Sequence, residues 1–266
     1  MSYQRLSATL PGAALAALLT VGASPASGEK LLDTTFSAGN FVPGAAIDNP
    51  YWPLSPGSSF AYYAESPDGC EVNLVEVLSS YKEDFPPPYD SVKALEIHDR
   101  AWLDEGCTGH YALIEETIDW HAQDKFGNVW YFGEATTSYD SADECPSHAG
   151  SWEAGVNDAE AGIVMLANPK PGVAYRQEFS VGNAEDMGKV LRLNASVSIG
   201  LGTYAGCLVT KEWSTLEPGA IEHKHYCPVG GGLMFIKELK GKTVRVELIG
   251  NALPAGQFAV DGVCGP

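Results

Sequence analysis

The sequence has few basic residues, and after its first 28 residues it has no long hydrophobic stretch. Lys and Arg total 16 against 34 Asp and Glu, which gives a formal net charge of -18. Because a nucleic-acid backbone repels a chain of that charge, nucleic acid is not an expected partner. Beyond the N-terminal segment, no apolar stretch approaches the roughly 18 residues of a membrane-spanning helix, so we expect no membrane span in the mature chain.

Common catalytic and cofactor motifs are also missing. The chain contains no G-x-S-x-G, H-E-x-x-H, P-loop or dinucleotide-binding pattern, and its carboxylates lack the spacing of a calcium loop. No C-x-x-C occurs, which argues against a zinc knuckle, a thioredoxin-type site and haem attachment. The sequence therefore names no catalytic residue, leaves open whether the protein is an enzyme, and does not indicate an oligomeric state.

The N-terminus has the pattern of a secretory signal peptide. Arg5 is the only charged residue among the first 28, and residues 10–23 are small and apolar. Small residues at the required positions allow cleavage after Ala26 or after Gly28. We therefore predict that residues 1–28 are a signal peptide and that the mature protein is secreted or periplasmic.

Six cysteines, an even number in an exported chain, predict three disulfides and no free thiol. Residues 206–213 and 221–227 have the pattern of two strands joined by a Pro-Gly turn. A hairpin centred on Glu217 places Cys207 directly opposite Cys227, close to disulfide reach. By elimination and proximity in the chain, with the alternative pairings left open, the other expected pairs are Cys70–Cys107 and Cys145–Cys264.

Strand patterns dominate the rest of the chain. Apolar residues alternate with polar ones through residues 191–197 and again through residues 244–248. Turns rich in Gly, Pro and Asn separate such segments, and no helical periodicity of useful length occurs in the mature chain. We predict an all-β protein in which antiparallel meanders form one barrel-like or sandwich unit.

The chain also contains a weak internal repeat. Residues 120–134 align without gaps with residues 224–238, and the alignment matches His121 with His225. A tandem duplication explains this match, and so does the general similarity of hairpins within any all-β protein. We predict two related β-meander halves, residues 29–155 and 156–266, within one fused globular unit.

Four segments carry a resemblance to known sequences: residues 49–57 (NPYWPLSPG), 119–134 (DWHAQDKFGNVWYFGE), 150–155 (GSWEAG) and 216–224 (LEPGAIEHK). Together they resemble a family of uncharacterised exported bacterial proteins. The resemblance covers most of the mature chain. It implies export and a β-rich fold, and it transfers no catalytic residue.

His223 and His225 are the strongest local indication of a metal-binding or catalytic site in the sequence. Residues i and i+2 of a strand point to one side, so both imidazoles can bind one metal ion. The internal repeat adds Asp119 and His121, and this ligand set suits Zn or Cu rather than Ca. The alternative is a solvated hairpin face beside Glu222. The hairpin register also places Lys211 opposite His223, where its charge would oppose a bound cation.

Aromatic residues cluster in several predicted strands and supply the functional hypothesis. Trp and Tyr side chains on one sheet face can form the floor of an apolar or sugar-binding groove, although they are more often ordinary core. The predicted ligand-binding residues are Trp52, Tyr62, Trp120 and Trp130. We predict an exported protein that binds a small apolar molecule or a glycan in an aromatic-lined cavity. The alternative is a secreted hydrolase or a metal-dependent oxidase centred on His223 and His225.

Overall fold

The computed structural model describes residues 30–139, 144–229, 231–238 and 244–264. The predicted signal peptide, residues 1–28, lies outside these described residues. Within them the chain forms strands and one short 3₁₀ turn, Ala38–Asn40, and no α-helix. The described part of the chain therefore has no helix long and apolar enough to span a bilayer.

Eighteen strands make up the described part of the chain. The first nine are β1 (Lys30–Leu31), β2 (Ile47–Asn49), β3 (Trp52–Leu54), β4 (Ser59–Ser66), β5 (Gly69–Lys82), β6 (Ala94–Asp104), β7 (His110–Gln123), β8 (Val129–Ser138) and β9 (Trp152–Glu153). The other nine are β10 (Glu160–Met165), β11 (Val173–Arg176), β12 (Glu178–Phe179), β13 (Asp186–Ile199), β14 (Gly202–Ser214), β15 (Glu222–Cys227), β16 (Gly232–Glu238), β17 (Arg245–Gly250) and β18 (Gln257–Phe258).

Sixteen of these strands belong to one sheet, and β2 and β3 form a separate hairpin. Hydrogen-bonded neighbours run in the order β1-β11-β13-β14-β15-β16-β17-β4-β5-β6-β7-β8-β10-β12, with β9 on β8 and β18 on β7. Among the described pairings, only β1 with β11 and β18 with β7 are parallel. The ends of the sheet meet where the Gln177 N–H donates to the Asp186 carbonyl at 2.8 Å. The sheet is thus nearly closed into a barrel, and the predicted all-β, antiparallel, barrel-like unit is confirmed.

The two predicted halves share this sheet. Strand β17, from the second half, pairs with β4, from the first, with Val246 opposite Ala64. The division at residues 155 and 156 stays a prediction, while the continuous hydrogen bonding across β17 and β4 joins the two segments into one unit.

Period-two alternation assigns each side chain of a strand to the inside or the outside of the nearly closed sheet. On the inner face, Leu95 and Ile97 of β6 lie opposite His121 and Asp119 of β7. Trp102 of β6 belongs to the outer face, where its indole N–H donates to the Ala259 carbonyl at 2.8 Å. The C-terminal segment therefore covers a second apolar cluster on the outside of β4–β7.

All three expected disulfides form, and no described cysteine is free. The Cα–Cα distances are 5.2 Å for Cys70–Cys107, 5.6 Å for Cys145–Cys264 and 4.2 Å for Cys207–Cys227. The hairpin register behind the third pair is also confirmed, because Lys211 lies opposite His223. The second pair ties the C-terminal segment to the loop after β8.

The β2–β3 hairpin lies across the inner face and is held by side-chain amides. The Asn49 amide donates to the carbonyls of Gly127 (2.8 Å) and Leu166 (3.2 Å). The Gln123 amide donates to the Asp48 carboxylate at 2.6 Å, and its oxygen accepts from the Asn49 N–H at 2.9 Å. These bonds place the hairpin, and with it Trp52, against β7.

Candidate functional site

The inner faces of β7, β8 and β9 bring together a set of polar and aromatic side chains. Asp119 lies opposite Glu134, and Glu134 lies opposite Trp152 of β9. Gly133 makes this packing possible, since it has a φ of +130° and a Cβ there would lie 2.2 Å from the Trp152 carbonyl oxygen. A β-bulge next to it shifts the register, so that His121 lies opposite Tyr131.

Tyr131 is the centre of this set. Its hydroxyl oxygen lies 2.5 Å from Asp119 Oδ1 and 2.8 Å from Glu134 Oε2. A phenol has one proton, so it donates to only one carboxyl group at a time, and the other contact is a hydrogen bond only if that carboxyl group carries a proton. Both contacts are therefore hydrogen bonds when the Tyr131 hydroxyl donates to Asp119 and a protonated Glu134 donates to the hydroxyl oxygen.

Burial explains why carboxyl groups stay protonated here. Burial, reinforced by the charge of Glu178 and then of Asp119, raises the pKa of Glu134 well above its ordinary value. Burial and nearby Asp186 raise the pKa of Glu178 to about 8, although its carboxyl group accepts from the Trp152 indole N–H at 3.0 Å. The pKa shifts of both glutamates therefore favour the protonated, uncharged form.

His121 continues the site toward the β2–β3 hairpin. It is 1% exposed, and neither ring nitrogen has a hydrogen-bond partner among the described residues. Its ring stacks on Tyr131 with centroids 4.7 Å apart, and the Trp52 ring lies 5.9 Å away on a tilted plane. Burial lowers the pKa of His121 well below its ordinary value, so the imidazole is neutral.

A second buried polar cluster lies on the inner faces of β14 and β15. The Lys224 ammonium contacts Glu212 at 2.9 Å, and Glu212 also accepts from the hydroxyls of Thr210 (2.7 Å) and Tyr226 (2.9 Å). Burial opposes ionisation of Glu212, yet Lys224 holds its pKa below the ordinary value. The Tyr226 ring lies 5.6 Å from Trp52, so Trp52 lies between the two buried polar clusters.

The four residues of the predicted metal centre are not brought together. Asp119 and His121 lie on the inner face, whereas His223 and His225 lie on the outer face, and Lys224 between them points inward to its carboxylate partner. Among the described residues, no three His, Cys, Asp or Glu side chains are placed to hold one metal ion. The Zn or Cu centre predicted from these four residues is therefore not assembled in the described part of the chain.

The four predicted aromatic ligand-binding residues are divided between the two sides of the sheet. Trp52 and Tyr62 lie inside, where the Tyr62 hydroxyl contacts the Leu233 carbonyl at 3.3 Å. Trp120 and Trp130 lie outside, because successive residues of β7 and β8 point to opposite faces. The outer pair packs under rings from two covering loops: Phe36 and Phe41 contact Trp130, and Phe85 contacts Trp120. The four residues thus do not line one cavity.

Residue-by-residue reasoning missed four members of the inner site: Tyr131, Glu134, Trp152 and Glu178. A usable signal existed, because a tight turn at residues 124–128 places the start of β8 against the end of β7. The register from that turn puts Tyr131 opposite His121, on the same face as Asp119. It does not indicate Glu134, which joins that face only because of the β-bulge beside Gly133. Trp152 and Glu178 come from distant segments, for which the sequence offers no such register.

Comparisons with known proteins identify no family. No family model and no curated protein matches the chain. Among solved structures it is similar to the "Crystal structure of a putative lipoprotein from Parabacteroides distasonis ATCC 8503", at 10% identity and a TM-score of 0.37, over 74% of this chain and 96% of that one. A likeness this distant carries no functional argument, and the resemblance to exported bacterial proteins stays a prediction.

Proposed function

We propose that this protein is secreted or periplasmic and binds a small uncharged sugar between Trp52, His121 and Tyr131. Its three disulfides fit an exported β-rich protein. One observation carries the proposal: aromatic rings in series lie beside three side chains, Glu134, Glu178 and His121, whose pKa shifts all favour the uncharged form.

The rings pack against one another in this structure, and a pyranose can stack on them once the β2–β3 hairpin carries Trp52 away. The ring centroid of His121 lies 5.9 Å from that of Trp52 and 4.7 Å from that of Tyr131, and Trp152 makes an edge contact with Tyr131 at 5.4 Å. Binding sites for small molecules are typically apolar and aromatic, with a few placed polar groups. The Trp52 indole N–H, which has no hydrogen-bond partner among the described residues, supplies such a donor.

The charge state of the site favours an uncharged ligand with hydroxyl groups. Protonated Glu134 and Glu178 offer both a donor and an acceptor, and neutral His121 does the same through its two ring nitrogens. An anionic ligand entering this buried region would lose its hydration without gaining an opposite charge. Sugar hydroxyls can pair with all of these groups.

The enzyme alternative requires the histidine hairpin and the inner carboxylate to act together. Asp119 and His121 lie on one face of the sheet, and His223 and His225 lie on the other. Because this separation keeps them from sharing one substrate, it favours ligand binding over the hydrolase or oxidase hypothesis.

Ligand entry depends on the β2–β3 hairpin. Trp52 is 8% exposed and His121 is 1% exposed, so a ligand reaches them only when the hairpin moves. No described strand of the main sheet pairs with it; its described side-chain hydrogen bonds run through Asn49 and Gln123, and its apolar side chains pack into the core. We therefore assign the hairpin as the mobile cover of the site.

The test is a binding measurement with neutral sugars on the full mature protein. Isothermal titration calorimetry with a panel of neutral mono- and disaccharides is compared for the wild type, Trp52→Phe and the matched control Trp120→Phe. Both tryptophans are 8% exposed and have indole nitrogens without a hydrogen-bond partner in the described structure, but they lie on opposite faces. We expect at least one sugar to bind and only Trp52→Phe to weaken it, by about tenfold.

Three results overturn the proposal. One is the absence of binding by any sugar of the panel. Another is equal weakening in both variants, which would indicate loss of folding rather than loss of a contact; circular dichroism of each variant checks the fold. The third is release of reducing ends from a disaccharide, which would support the hydrolase hypothesis.

A further inference from the structure

The nearly closed sheet is wide enough to hold a ligand longer than one sugar ring. Its barrel has 13 strands. Barrels of about eight strands have interiors that side chains just fill, whereas barrels of about 16 strands leave open interior space, so 13 strands enclose more room than their own side chains take up. The β2–β3 hairpin occupies this interior at one end, where Asn49 contacts Gln123 and Gly127.

A polar wall leads away from the hairpin along the inner faces of β6, β7 and β8. On β7, His121, Asp119 and Thr117 point inward, in that order from the hairpin. Thr117 lies opposite Asp99 of β6 and opposite Thr136 of β8. The hydroxyls of the two threonines are 3.1 Å apart, and both residues are buried. Hydrogen-bonding groups therefore continue along the interior beyond the rings of the sugar site.

Asp99 supplies an unused hydrogen-bonding atom on this wall. Its Oδ1 is shielded from solvent and has no hydrogen-bond partner among the described residues, while Asn73 of β5 hydrogen-bonds its carboxyl group. Burial, reinforced by the charge of Asp119, raises the pKa of Asp99 to about 8, which favours the protonated form that both donates and accepts. A buried polar atom without a partner is rare in native proteins and calls for an explanation such as a ligand.

His121 carries the same feature nearer the hairpin, since neither of its ring nitrogens has a partner in the described structure. His121 and Thr117 are four residues apart on one strand, which separates their Cα atoms by about 14 Å. Asp99 lies directly across from Thr117. One pyranose ring is shorter than this span, so a single monosaccharide cannot contact both His121 and Asp99, whereas linked pyranose units can.

We propose that the inner site binds a neutral linear oligosaccharide of two or more pyranose units, one against Trp52 and His121 and the next beside Thr117 and Asp99. This inference rests on the proposed sugar-binding function and names the ligand class of that site. A lipid chain fits less well, because it would bury the Asp99 carboxyl group without offering a hydrogen bond.

The experiment is isothermal titration calorimetry on the full mature protein with sugars of increasing length. The probes are glucose, mannose and N-acetylglucosamine, each as the monosaccharide and as its β-1,4-linked dimer and trimer, with laurate as an apolar chain. The measured quantity is the ratio of monosaccharide Kd to dimer or trimer Kd. The wild type is compared with Asp99→Val and with the control Glu96→Val, since both carboxylates are partly buried on β6 but lie on opposite faces.

For at least one series, the wild type should bind the dimer or trimer about tenfold more tightly than the monosaccharide. Asp99→Val should reduce this ratio to within about twofold of unity, and Glu96→Val should leave it unchanged. The comparison of chain lengths in the wild type does not depend on a variant folding, and circular dichroism checks the fold of both variants.

The outcomes separate this inference from the proposed function. If no sugar binds, the sugar-binding function itself is overturned, and this inference with it. If the monosaccharide binds as tightly as its dimer and trimer, the sugar site stands and the oligosaccharide assignment is overturned. An unchanged ratio in a folded Asp99→Val variant overturns the role of Asp99, and tighter binding of laurate than of every sugar overturns the assignment to glycans.

Discussion

Replacement of Glu178 with glutamine should stabilise the protein at mildly alkaline pH and change its stability little in mild acid. Glutamine has the shape of the protonated glutamate and keeps an oxygen that can accept from the Trp152 indole N–H, now at 3.0 Å. What it removes is the ionisable proton. The substitution therefore isolates the free energy that the buried carboxyl group loses when it must ionise.

The magnitude follows from the pKa of Glu178. Burial raises this pKa to about 8 in the folded protein, against an ordinary value of 4.5. Between these two pH values the folded state holds the proton and the unfolded state has released it. The folded state thus binds more protons, so the free energy of unfolding falls as pH rises, by about 1.4 kcal/mol per pH unit. Across the whole window the loss amounts to about 4 to 5 kcal/mol.

The assay is urea denaturation at pH 5, 6, 7 and 8, followed by fluorescence without reductant. The quantity of interest is the free energy of unfolding of Glu178→Gln minus that of the wild type, because contributions from other groups largely cancel in it. We expect this difference to be about 1 kcal/mol at pH 5 and to rise to about 4 kcal/mol at pH 8. Removal of the Glu178 charge also lowers the pKa of Glu134, which acts in the same direction.

The control is Glu105→Gln, at an exposed carboxylate in the turn after β6. Its difference from the wild type should stay flat over the same pH range. A flat difference for Glu178→Gln as well, or a variant less stable than the wild type at pH 8, would refute the claim that Glu178 is protonated in the folded protein.

Other substitutions test the remaining structural assignments. Cys145→Ser/Cys264→Ser removes the disulfide between residues that are 119 apart in the chain. Guanidinium denaturation should show that the free energy of unfolding falls by about 5 kcal/mol, as the chain-entropy model expects, and an unchanged midpoint would contradict this. Lys224→Met leaves the buried Glu212 carboxylate without its cation. Thermal denaturation should show that the free energy of unfolding falls by about 3 to 5 kcal/mol, whereas an unchanged stability would mean that the pair is not buried. Asp124→Ala removes the acceptor of two backbone N–H groups, an asparagine amide and an indole N–H. Urea denaturation should show a loss of about 3 kcal/mol, and a loss below about 1 kcal/mol would contradict these contacts.

The hairpin that carries Cys207 and Cys227 shows which structural features a local sequence pattern can predict. A single turn, centred on Glu217, sets every pairing between β14 and β15, so the disulfide and the position of Lys211 opposite His223 could be predicted without the fold. Strand alternation similarly predicted the all-β class. The pairing of the other cysteines followed only from elimination and proximity, and the structure decided it.

The same reasoning from the sequence predicted less of the candidate site. Alternation correctly groups Asp119 with His121, and His223 with His225, because each pair is two residues apart on one strand. It does not say which face of a strand turns inward. The repeat alignment matched His121 with His225, but one ring lies inside the sheet and the other outside.

The sequence by itself determined the features that depend on neighbours in the chain: the strands, the turn registers, the disulfide of one hairpin and the excess of acidic charge. Closure of the sheet decided the rest, since it selects one face of every strand as the inside. That selection buries Glu134 and Glu178 together and raises their pKa values. It also leaves His223 and His225 on the outside. Both outcomes depend on contacts between strands that are distant in sequence, which local patterns do not encode.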